Sequence, residues 1–517
     1  MGNKWPIAAR LKQVLEKEQG AVFKDWGGKL AVALAYPNYY YLAMSSLGFQ
    51  TVYNLLNQAP DVVCERVFYG LAGLSVRDSS AFSLESQRPI DEFSVLAFSL
   101  SFEIDYLNAI DMLRALGIPP ASVVRDETFP LLIGGGPAVT ANPLPLSAIL
   151  DAIVIGEFEP IATELTQALS ATAVGGREAT LQALAAVPGT YVPRIHGPLH
   201  DIPHPIRRQW LADLDRFPTH SVVLTPDTEF GAMYLIEIGR GCVRRCPFCL
   251  AGHCYKPHRE RSPAGILEQA QEGLRYRQKI GLVSAAVSDY SQIDELVEAL
   301  EEMGARLSVS SLRVRPLSET LVHALAHSGE QTLTIAPEAG SQRLRNLVQK
   351  GVSEADLYHA AELAEKYNFR QLKLYFVIGL PGETEDDVRA IVDLVRRLER
   401  YFTRQIIVNV TPFVPKAHTA FEREAMLPRK DVESRLGLLQ REFRARGIAV
   451  KADSPRWAEV QGILSRGDRS LSFALQDLSA PTLKAWSDML RAHDIDAQAY
   501  LGELPPDERP AWSQIVI

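Results

Sequence analysis

Two series of short β-rich segments, each alternating with amphipathic helical patterns, constrain the fold of this chain most strongly. The first series ends before residue 200 and comprises KLAVALAY from Lys29, VVCERVFY from Val62, SVLAFSLS from Ser94, FPLLIGGG from Phe129 and DAIVIGE from Asp151. This alternation is typical of a parallel sheet with helices on both faces. We therefore predict an α/β, doubly wound Rossmann-like domain over residues 1–200.

The second series predicts another α/β unit, over residues 230–450. Its strand patterns are YLIEIG from Tyr234, GLVSAAVS from Gly281, ARLSVSS from Ala305, QTLTIAP from Gln331, QLKLYFVIG from Gln371 and RQIIVNVTPF from Arg404. Six such units suggest a partial (β/α)6 TIM-like barrel. A Pro-rich stretch at 201–229 reads as a linker. Residues 451–517 predict a small, mainly helical region that packs on the barrel or frames the substrate.

Three cysteines near the start of the second series point to a metal cluster. Cys242, Cys246 and Cys249 have the spacing C-x3-C-x2-C and follow a predicted strand that ends at Gly239. Three thiolates on one loop can bind three irons of a [4Fe–4S] cluster and leave the fourth iron open for a small ligand. The C-terminal ends of barrel strands carry the catalytic residues, so this loop is placed where chemistry occurs.

The other readings of the cysteines remain open at this point. A closed zinc site would need Cys254 or His253 as a fourth ligand. A disulfide framework fits poorly, because the chain has five cysteines and no secretory leader. Cys254 is either a packing residue or a redox or substrate-facing thiol, whereas His253 reads as a polar loop residue. We interpret Cys64 as a small, buried apolar residue.

The amino-acid composition limits the kinds of partner that this chain could bind. The 517 residues carry a formal net charge of −8, which argues against a broad nucleic-acid surface without excluding local contacts. Basic side chains do crowd the cysteine loop, namely Arg244, Arg245, Lys256, Arg259 and Arg261. No apolar run approaches the roughly 20 residues that span a bilayer. We expect a cytoplasmic protein that does not associate with membranes.

Further motifs follow the cysteine triad in the order of the predicted strands. They contain Phe248 within the triad, Asp289 after the second strand, Ser310 and Arg313 after the third, Glu338 in APEAGS, and Gly379 in YFVIGLPGET. With these motifs the chain resembles the radical S-adenosylmethionine (SAM) superfamily over roughly residues 230–420. More narrowly, the chain resembles the group with an N-terminal cobalamin-binding-like domain, including an uncharacterised bacterial subgroup. This resemblance rests on the segments GRGCVRRCPFC, RERSP, APEAGSQRLR and TPFVPKAHT.

The resemblance implies specific roles. The three cysteines would hold the cluster, whose open iron chelates SAM, and an electron donor such as flavodoxin or ferredoxin would drive reductive cleavage to a 5′-deoxyadenosyl radical. Ser310, Arg313 and Glu338 would contact the ribose or carboxylate of SAM. Phe248 would pack near adenine or anchor the loop, and Gly379 would shape the turn near adenine. Asp289 would face the amino group, although its context VSDY departs from the Gly-rich pattern of the family.

The resemblance also implies cobalamin as a cofactor. The loop AYPNYYYLAMSSLGFQ lacks the histidine that often coordinates cobalt from below. Any cobalamin would therefore bind without that ligand. Its expected site is lined by Ser99, Ser101, Gly135, Gly136 and Glu157, which follow the predicted strands. The alternative is a domain that keeps the fold and has lost the cofactor.

Three functions remain as hypotheses. The first is a radical SAM enzyme that abstracts hydrogen and transfers methyl from cobalamin to a carbon centre. The second is a methylthiotransferase or another RNA-modifying enzyme, suggested by YFVIGLPGET and FVPKAHT but opposed by the acidic charge and the lack of cysteines for an auxiliary cluster. The third is a non-catalytic iron–sulfur or zinc scaffold or sensor. The sequence assigns no catalytic side chain and no substrate beyond SAM.

Overall fold

A computed structural model describes residues 5–170 and 172–517. The N-terminal domain contains a six-stranded sheet in the order β2-β1-β3-β4-β5-β6. Its strands are β1 (Leu30–Tyr39), β2 (Val62–Gly70), β3 (Val95–Ser99), β4 (Leu131–Gly135), β5 (Ala152–Val154) and β6 (Thr190–Tyr191). All neighbouring pairs are parallel except β5 and β6. The five strands predicted here are confirmed, and β6 is a two-residue addition.

Within the described residues, nine α-helices accompany this sheet. They are α1 (Trp5–Leu15), α2 (Tyr40–Ala43), α3 (Leu47–Gln58), α4 (Val76–Ser80), α5 (Asp105–Ala115), α6 (Pro137–Ala141), α7 (Ala162–Ser170), α8 (Thr172–Ala186) and α9 (Pro193–His196). Two separate hydrophobic cores cover the two faces of the sheet. The strand order reverses between β1 and β3, and ligands of doubly wound sheets bind outside the carboxyl ends of strands at such a point.

The second domain follows the linker strand β7 (Ile206–Arg207) and forms the predicted partial barrel. Its strands are β8 (Met233–Glu237), β9 (Gly239–Arg240), β10 (Arg259–Glu260), β11 (Lys279–Val283), β12 (Arg306–Val309), β13 (Thr332–Glu338), β14 (Gln371–Ile378), β15 (Gln405–Pro412) and β16 (Ala449–Ala452). Parallel sheets β12-β11-β8 and β13-β14-β15-β16 meet through a bridge between Leu312 and Ile335. The six predicted strands are confirmed. The seventh barrel strand, β16, crosses the predicted boundary at residue 450.

Helices alternate with these strands along the second domain. They are α10 (Leu250–Cys254), α11 (Pro263–Gly273), α12 (Ile293–Glu302), α13 (Glu319–His327), α14 (Gln342–Leu347), α15 (Glu354–Lys366), α16 (Glu385–Leu398) and α17 (Arg429–Arg444). Capping boxes start two of them, formed by Ser353 with Asp356 and by Thr384 with Asp387. No helix in the described part of the chain is both long and apolar enough to cross a membrane.

The C-terminal region packs mainly on the N-terminal domain. It contains α18 (Pro455–Arg466), α19 (Arg469–Leu475), α20 (Leu483–Ala492), α21 (Ala497–Leu501) and β17 (Ile515–Val516), which pairs with β7. Side chains of all four helices share one hydrophobic core with the N-terminal sheet and α5. Asn142 Nδ2 donates to the carbonyls of Ser465 and Gly467, at 3.2 and 2.7 Å. The predicted packing on the barrel therefore describes the minor part of this interface.

Candidate active site

The cysteine loop is closed at its base by a short antiparallel ribbon, in which β9 pairs with β10. Gly241 leaves this ribbon with φ +85°, and a Cβ placed on it would lie 2.3 Å from the carbonyl oxygen of Tyr255. Only glycine tolerates both the backbone angle and this approach. The Cys249 N–H donates to the Cys246 carbonyl at 2.9 Å, and α10 begins directly after Cys249. The loop thus leaves the barrel at the C-terminal end of β8, as the sequence predicts.

The three thiols of the triad are free and lie among cations. Cys246 is buried, whereas Cys242 and Cys249 are half-buried. Arg313 Nη1 donates to Cys242 Sγ at 3.5 Å. Burial raises the pKa of Cys246, and the positive charge of Lys350 opposes that shift. A thiolate cluster carries negative charge, so this cationic surrounding fits a bound [4Fe–4S] group.

The thiols can serve a four-iron cluster without converging on one point. Within the described ranges, no three His, Cys, Asp or Glu side chains are grouped so that they could hold one metal ion. The ligands of a four-iron cluster each bind a different iron and need no common centre. His253, a predicted alternative ligand, places Nδ1 2.8 Å from the Cys249 carbonyl oxygen. It contributes to the local loop structure.

Buried polar atoms without partners lie next to the triad. Arg313 Nη1 is 3.3 Å from Asp289 Oδ2. Arg313 Nε, Arg313 Nη2 and Asp289 Oδ2 are buried and make no hydrogen bond in the described residues. Burial raises the pKa of Asp289, and the charge of Arg313 opposes it. Unsatisfied buried polar groups are rare in folded proteins, so this pair is suited to a polar ligand beside Cys242.

Glu338 and Gly379 end neighbouring barrel strands with left-handed backbones. Glu338 has φ +65° at the end of β13, and its Oε1 accepts from Lys350 Nζ at 2.7 Å. Positive φ in a non-glycine residue is uncommon and concentrates at functional sites. Gly379 has φ +80°, and its N–H donates to Glu383 Oε1 at 2.9 Å. Both residues lie on the rim where the sequence predicts SAM contacts.

Phe248 and Ser310 occupy different environments. Phe248 is half-buried and packs on a small hydrophobic cluster that includes Ala339, Leu380 and Phe413. These three residues follow β13, β14 and β15, so Phe248 ties the cysteine loop to the rim of the barrel. This contact agrees with the anchoring interpretation. Ser310 follows β12 and is exposed. Their roles toward SAM stay predictions.

A cavity of about 420 Å³ joins the two domains. It begins at the carboxyl edge of the N-terminal sheet and runs along the sheet face beside α3 and α7. All five residues predicted for a cobalamin site line it, namely Ser99, Ser101, Gly135, Gly136 and Glu157. Its far wall contains Gly241, Ala251, Cys254 and Tyr255 of the cysteine loop. A ligand in this cavity would therefore reach the loop that carries the triad.

The participation of Cys254 in the cavity wall was not predictable from local sequence. Its thiol is fully buried and packs with Ala141, Ala417 and Trp512. Burial raises the pKa of Cys254 to about 12. The thiol is therefore protonated at neutral pH and a poor nucleophile. These contacts support the packing interpretation.

Glu157 lines the cavity, but both of its carboxylate oxygens are engaged elsewhere. Oε1 accepts from Arg259 Nη2 at 2.8 Å, and Oε2 accepts from Arg240 Nη1 at 2.8 Å and from the Leu211 N–H at 2.9 Å. Burial alone would raise the pKa of Glu157, but the bonds from Arg259 and the charge of Arg240 lower it. The carboxylate is thus ionised and saturated by protein donors.

Two family models match this chain. The model described as "Radical SAM proteins, N-terminal" covers residues 48–193, and the Radical SAM superfamily model covers residues 236–395. The chain belongs to the radical SAM superfamily. The predicted resemblance is confirmed, and with it the SAM and [4Fe–4S] cofactors of that superfamily. The assignment of the cluster to the three cysteines stays a prediction.

Curated relatives extend over different parts of the chain. An uncharacterised protein of Methanocaldococcus jannaschii is 29% identical over 94% of this chain and 98% of its own length. An uncharacterised methyltransferase of Pyrococcus horikoshii is 24% identical over 56% of this chain and 63% of its own. A tRNA-2-methylthio-N(6)-dimethylallyladenosine synthase of Sulfurihydrogenibium is 26% identical over 36% and 44%. The chain thus spans less than two thirds of the two relatives whose activity is named.

Solved structures share the fold of this chain. The cobalamin-dependent radical SAM enzyme OxsB with aqua-cobalamin has a TM-score of 0.53 at 14% identity, covering 92% of this chain and 77% of OxsB. The radical SAM methyltransferase TsrM from Kitasatospora setae, with tryptophan and a SAM analogue, has a TM-score of 0.51 at 16% identity, covering 76% and 75%. At these identities the likeness establishes the fold.

Proposed function

We propose that this chain uses a [4Fe–4S] cluster on Cys242, Cys246 and Cys249 to cleave SAM reductively to a 5′-deoxyadenosyl radical. The observation that carries the proposal is the set of free thiols beside the partly unpartnered Arg313–Asp289 pair. When bound, the reduced cluster supplies the electron for cleavage of the sulfonium bond. The protein residues bind and orient SAM.

Each rim residue has a proposed task that fits its surroundings. Arg313 uses its free Nε and Nη2 donors to bind the SAM carboxylate, and Asp289 accepts from the amino group. Glu338, fixed by Lys350, accepts from the ribose hydroxyls. The turn at Gly379 brings the backbone close to adenine. Together these contacts would hold SAM in one orientation over the triad.

We further propose that the cavity binds cobalamin without a histidine below the cobalt. The cavity opens at the carboxyl edge of the N-terminal sheet, where doubly wound sheets bind ligands, and its extension beside α3 and α7 suits an elongated part of such a cofactor. A bound corrinoid would carry a methyl group from SAM to a carbon centre of the substrate. The Ser99 and Ser101 hydroxyls and the backbone at Gly135 and Gly136 would contact its polar periphery.

Anaerobic reconstitution tests the cluster and the cavity separately. We expect about four irons per chain and, with SAM and a reductant, 5′-deoxyadenosine. C246A should lose both, whereas C64A, a change at a buried cysteine within β2, should keep both. Purification with cobalamin present should give a retained corrinoid with visible absorption. G135L, which fills the cavity, should lose the corrinoid and keep the cluster.

The similarity to the tRNA-modifying relative keeps RNA modification as a second candidate. The two cysteines outside the triad are both buried, Cys64 in β2 and Cys254 at the end of α10, so they would not hold an auxiliary cluster together. RNA that copurifies with the chain and acquires a methyl or methylthio group would favour this candidate. A small-molecule or peptide acceptor would exclude it.

The proposed electron donor is an acidic flavodoxin or ferredoxin in the cytoplasm. Next to the triad, Val243 is 54% exposed and Arg245 is exposed, although the chain as a whole carries net negative charge. An apolar residue flanked by a cation suits an acidic electron-transfer protein. Such a partner would deliver its electron through the loop that carries the cluster.

A further inference from the structure

The base of the cysteine loop is clamped by a carboxylate from the other domain. Arg240 and Arg259 are paired across the β9–β10 ribbon, one on each strand. Both guanidinium groups converge on Glu157, which follows β5 of the N-terminal sheet, 83 and 102 residues away along the chain. Arg240 Nη1 is 2.8 Å from Oε2, and Arg259 reaches both oxygens, at 2.8 and 3.0 Å. One side chain thus ties both strands of the ribbon to the N-terminal domain.

This clamp is almost entirely removed from water. The side chains of Glu157, Arg259 and Arg240 are 3%, 6% and 11% exposed. Arg240 also pairs with Glu159 and Glu237, each at 2.8 Å. Buried, multiply bonded charges are held firmly when complete, and removal of one partner leaves an uncompensated charge. Loss of the Glu157 charge would therefore weaken the anchor of both strands at once.

The position of the Glu157 carboxylate is itself fixed by the backbone. Gly156 has φ +115°, and a Cβ placed on it would lie 2.2 Å from the Gln209 carbonyl oxygen. The Leu211 N–H donates to Glu157 Oε2 at 2.9 Å. Arg208 of the linker lies 3.4 Å from Oε1 and also donates to the Lys256 carbonyl, on the return path of the cysteine loop. Linker, ribbon and loop therefore share one anchor point.

We propose that Glu157 is a positioning residue for the cysteine loop, holding Gly241 and Cys242 through Arg240 so that the triad meets SAM correctly. The N-terminal domain then serves the cluster even when its cavity holds no ligand. Glu157 has no oxygen free for a cavity ligand, which separates this role from direct cofactor binding. The inference rests on the cluster part of the proposed function and is independent of cobalamin.

The test compares isosteric and conservative variants in the reconstituted full-length protein without corrinoid. E157Q removes the charge, E157D keeps it, and E85Q removes another buried carboxylate of the same domain, which accepts from Arg66 at 2.6 and 2.7 Å. SAM affinity is measured by the change in the electron paramagnetic resonance spectrum of the reduced cluster. Thermal unfolding and iron content are recorded for every variant.

We expect E157Q to bind SAM about tenfold more weakly, the scale seen when a supporting contact to a metal ligand shell is lost. E157D should recover most of that loss, and E85Q should bind SAM like the wild type even if it unfolds earlier. Equal SAM affinity in E157Q and wild type, or equal losses in E157Q and E85Q, would overturn the inference. The inference would also be overturned if E157Q and E157D both fold and lose SAM affinity to the same extent. If the wild type assembles no cluster, the proposed function fails with it.

Discussion

Substitution of Gly241 by alanine tests the geometry of the cysteine loop directly. Gly241 joins β9 to Cys242, and its φ of +85° places any added Cβ 2.3 Å from the Tyr255 carbonyl oxygen. Ordinary van der Waals contact begins near 3.4 Å, so the two backbone segments would have to separate by about 1 Å. This separation would open the β9–β10 ribbon beside the first cluster ligand.

A matched control variant separates the steric overlap from the backbone strain in the free-energy cost of the substitution. Gly304 has φ +79°, and a Cβ placed on it would meet nothing within 4 Å, so G304A carries only the backbone strain. That strain is about 1–2 kcal/mol in either variant. Overpacking adds about 1–3 kcal/mol in G241A alone. A difference of about 2 kcal/mol corresponds to a roughly 30-fold larger population of open ribbon.

The assay follows iron release from the reconstituted protein to a chelator under anaerobic conditions. We expect G241A to release iron at least about tenfold faster than G304A under conditions where both variants remain folded, because the ribbon opens locally. Equal release rates and equal iron content in the two variants would refute the reasoning. That result would mean that the Tyr255 carbonyl does not restrain the start of the loop.

Three further outcomes follow from individual residues. C254S should retain iron and SAM cleavage, since its packed thiol is protonated at neutral pH; loss of iron would make Cys254 a ligand. Burial raises the pKa of Asp105 to about 7, so the folded state alone keeps this proton between about pH 4 and 7. The free energy of unfolding of the wild type, measured with urea, should therefore fall by about 4 kcal/mol relative to that of D105N as the pH rises from 4 to 7. R245E should slow cluster reduction by flavodoxin several-fold at low salt while dithionite reduction is unchanged, and R275E, at a remote exposed arginine, should do neither.

The strands, and the sheet edges at which ligands bind, were predictable because both depend on the local sequence pattern. Five N-terminal strands and six barrel strands appear where short apolar segments between helical patterns indicated them, because strand positions that face a core must be apolar. The cysteine spacing identified the triad, and the rule that ligands bind at the carboxyl edge placed Ser99 and Gly135 in the cavity wall.

The remaining features depend on contacts between distant segments. The C-terminal helices present apolar faces that would suit either domain, and only the folded chain shows that they share a core with the N-terminal sheet. Cys254 carries no sequence signal that it faces a cavity from another domain. Glu157 was predictable as a cavity residue, but its pairing with Arg240 and Arg259 spans 83 and 102 positions and has no periodicity to reveal it.

The fate of SAM in the anaerobically reconstituted, reduced protein tests the proposed function most directly. We predict iron-dependent formation of 5′-deoxyadenosine by the wild type and none by C246A, with zinc-loaded protein inactive. Unchanged SAM in a wild-type sample that contains about four irons per chain would contradict it.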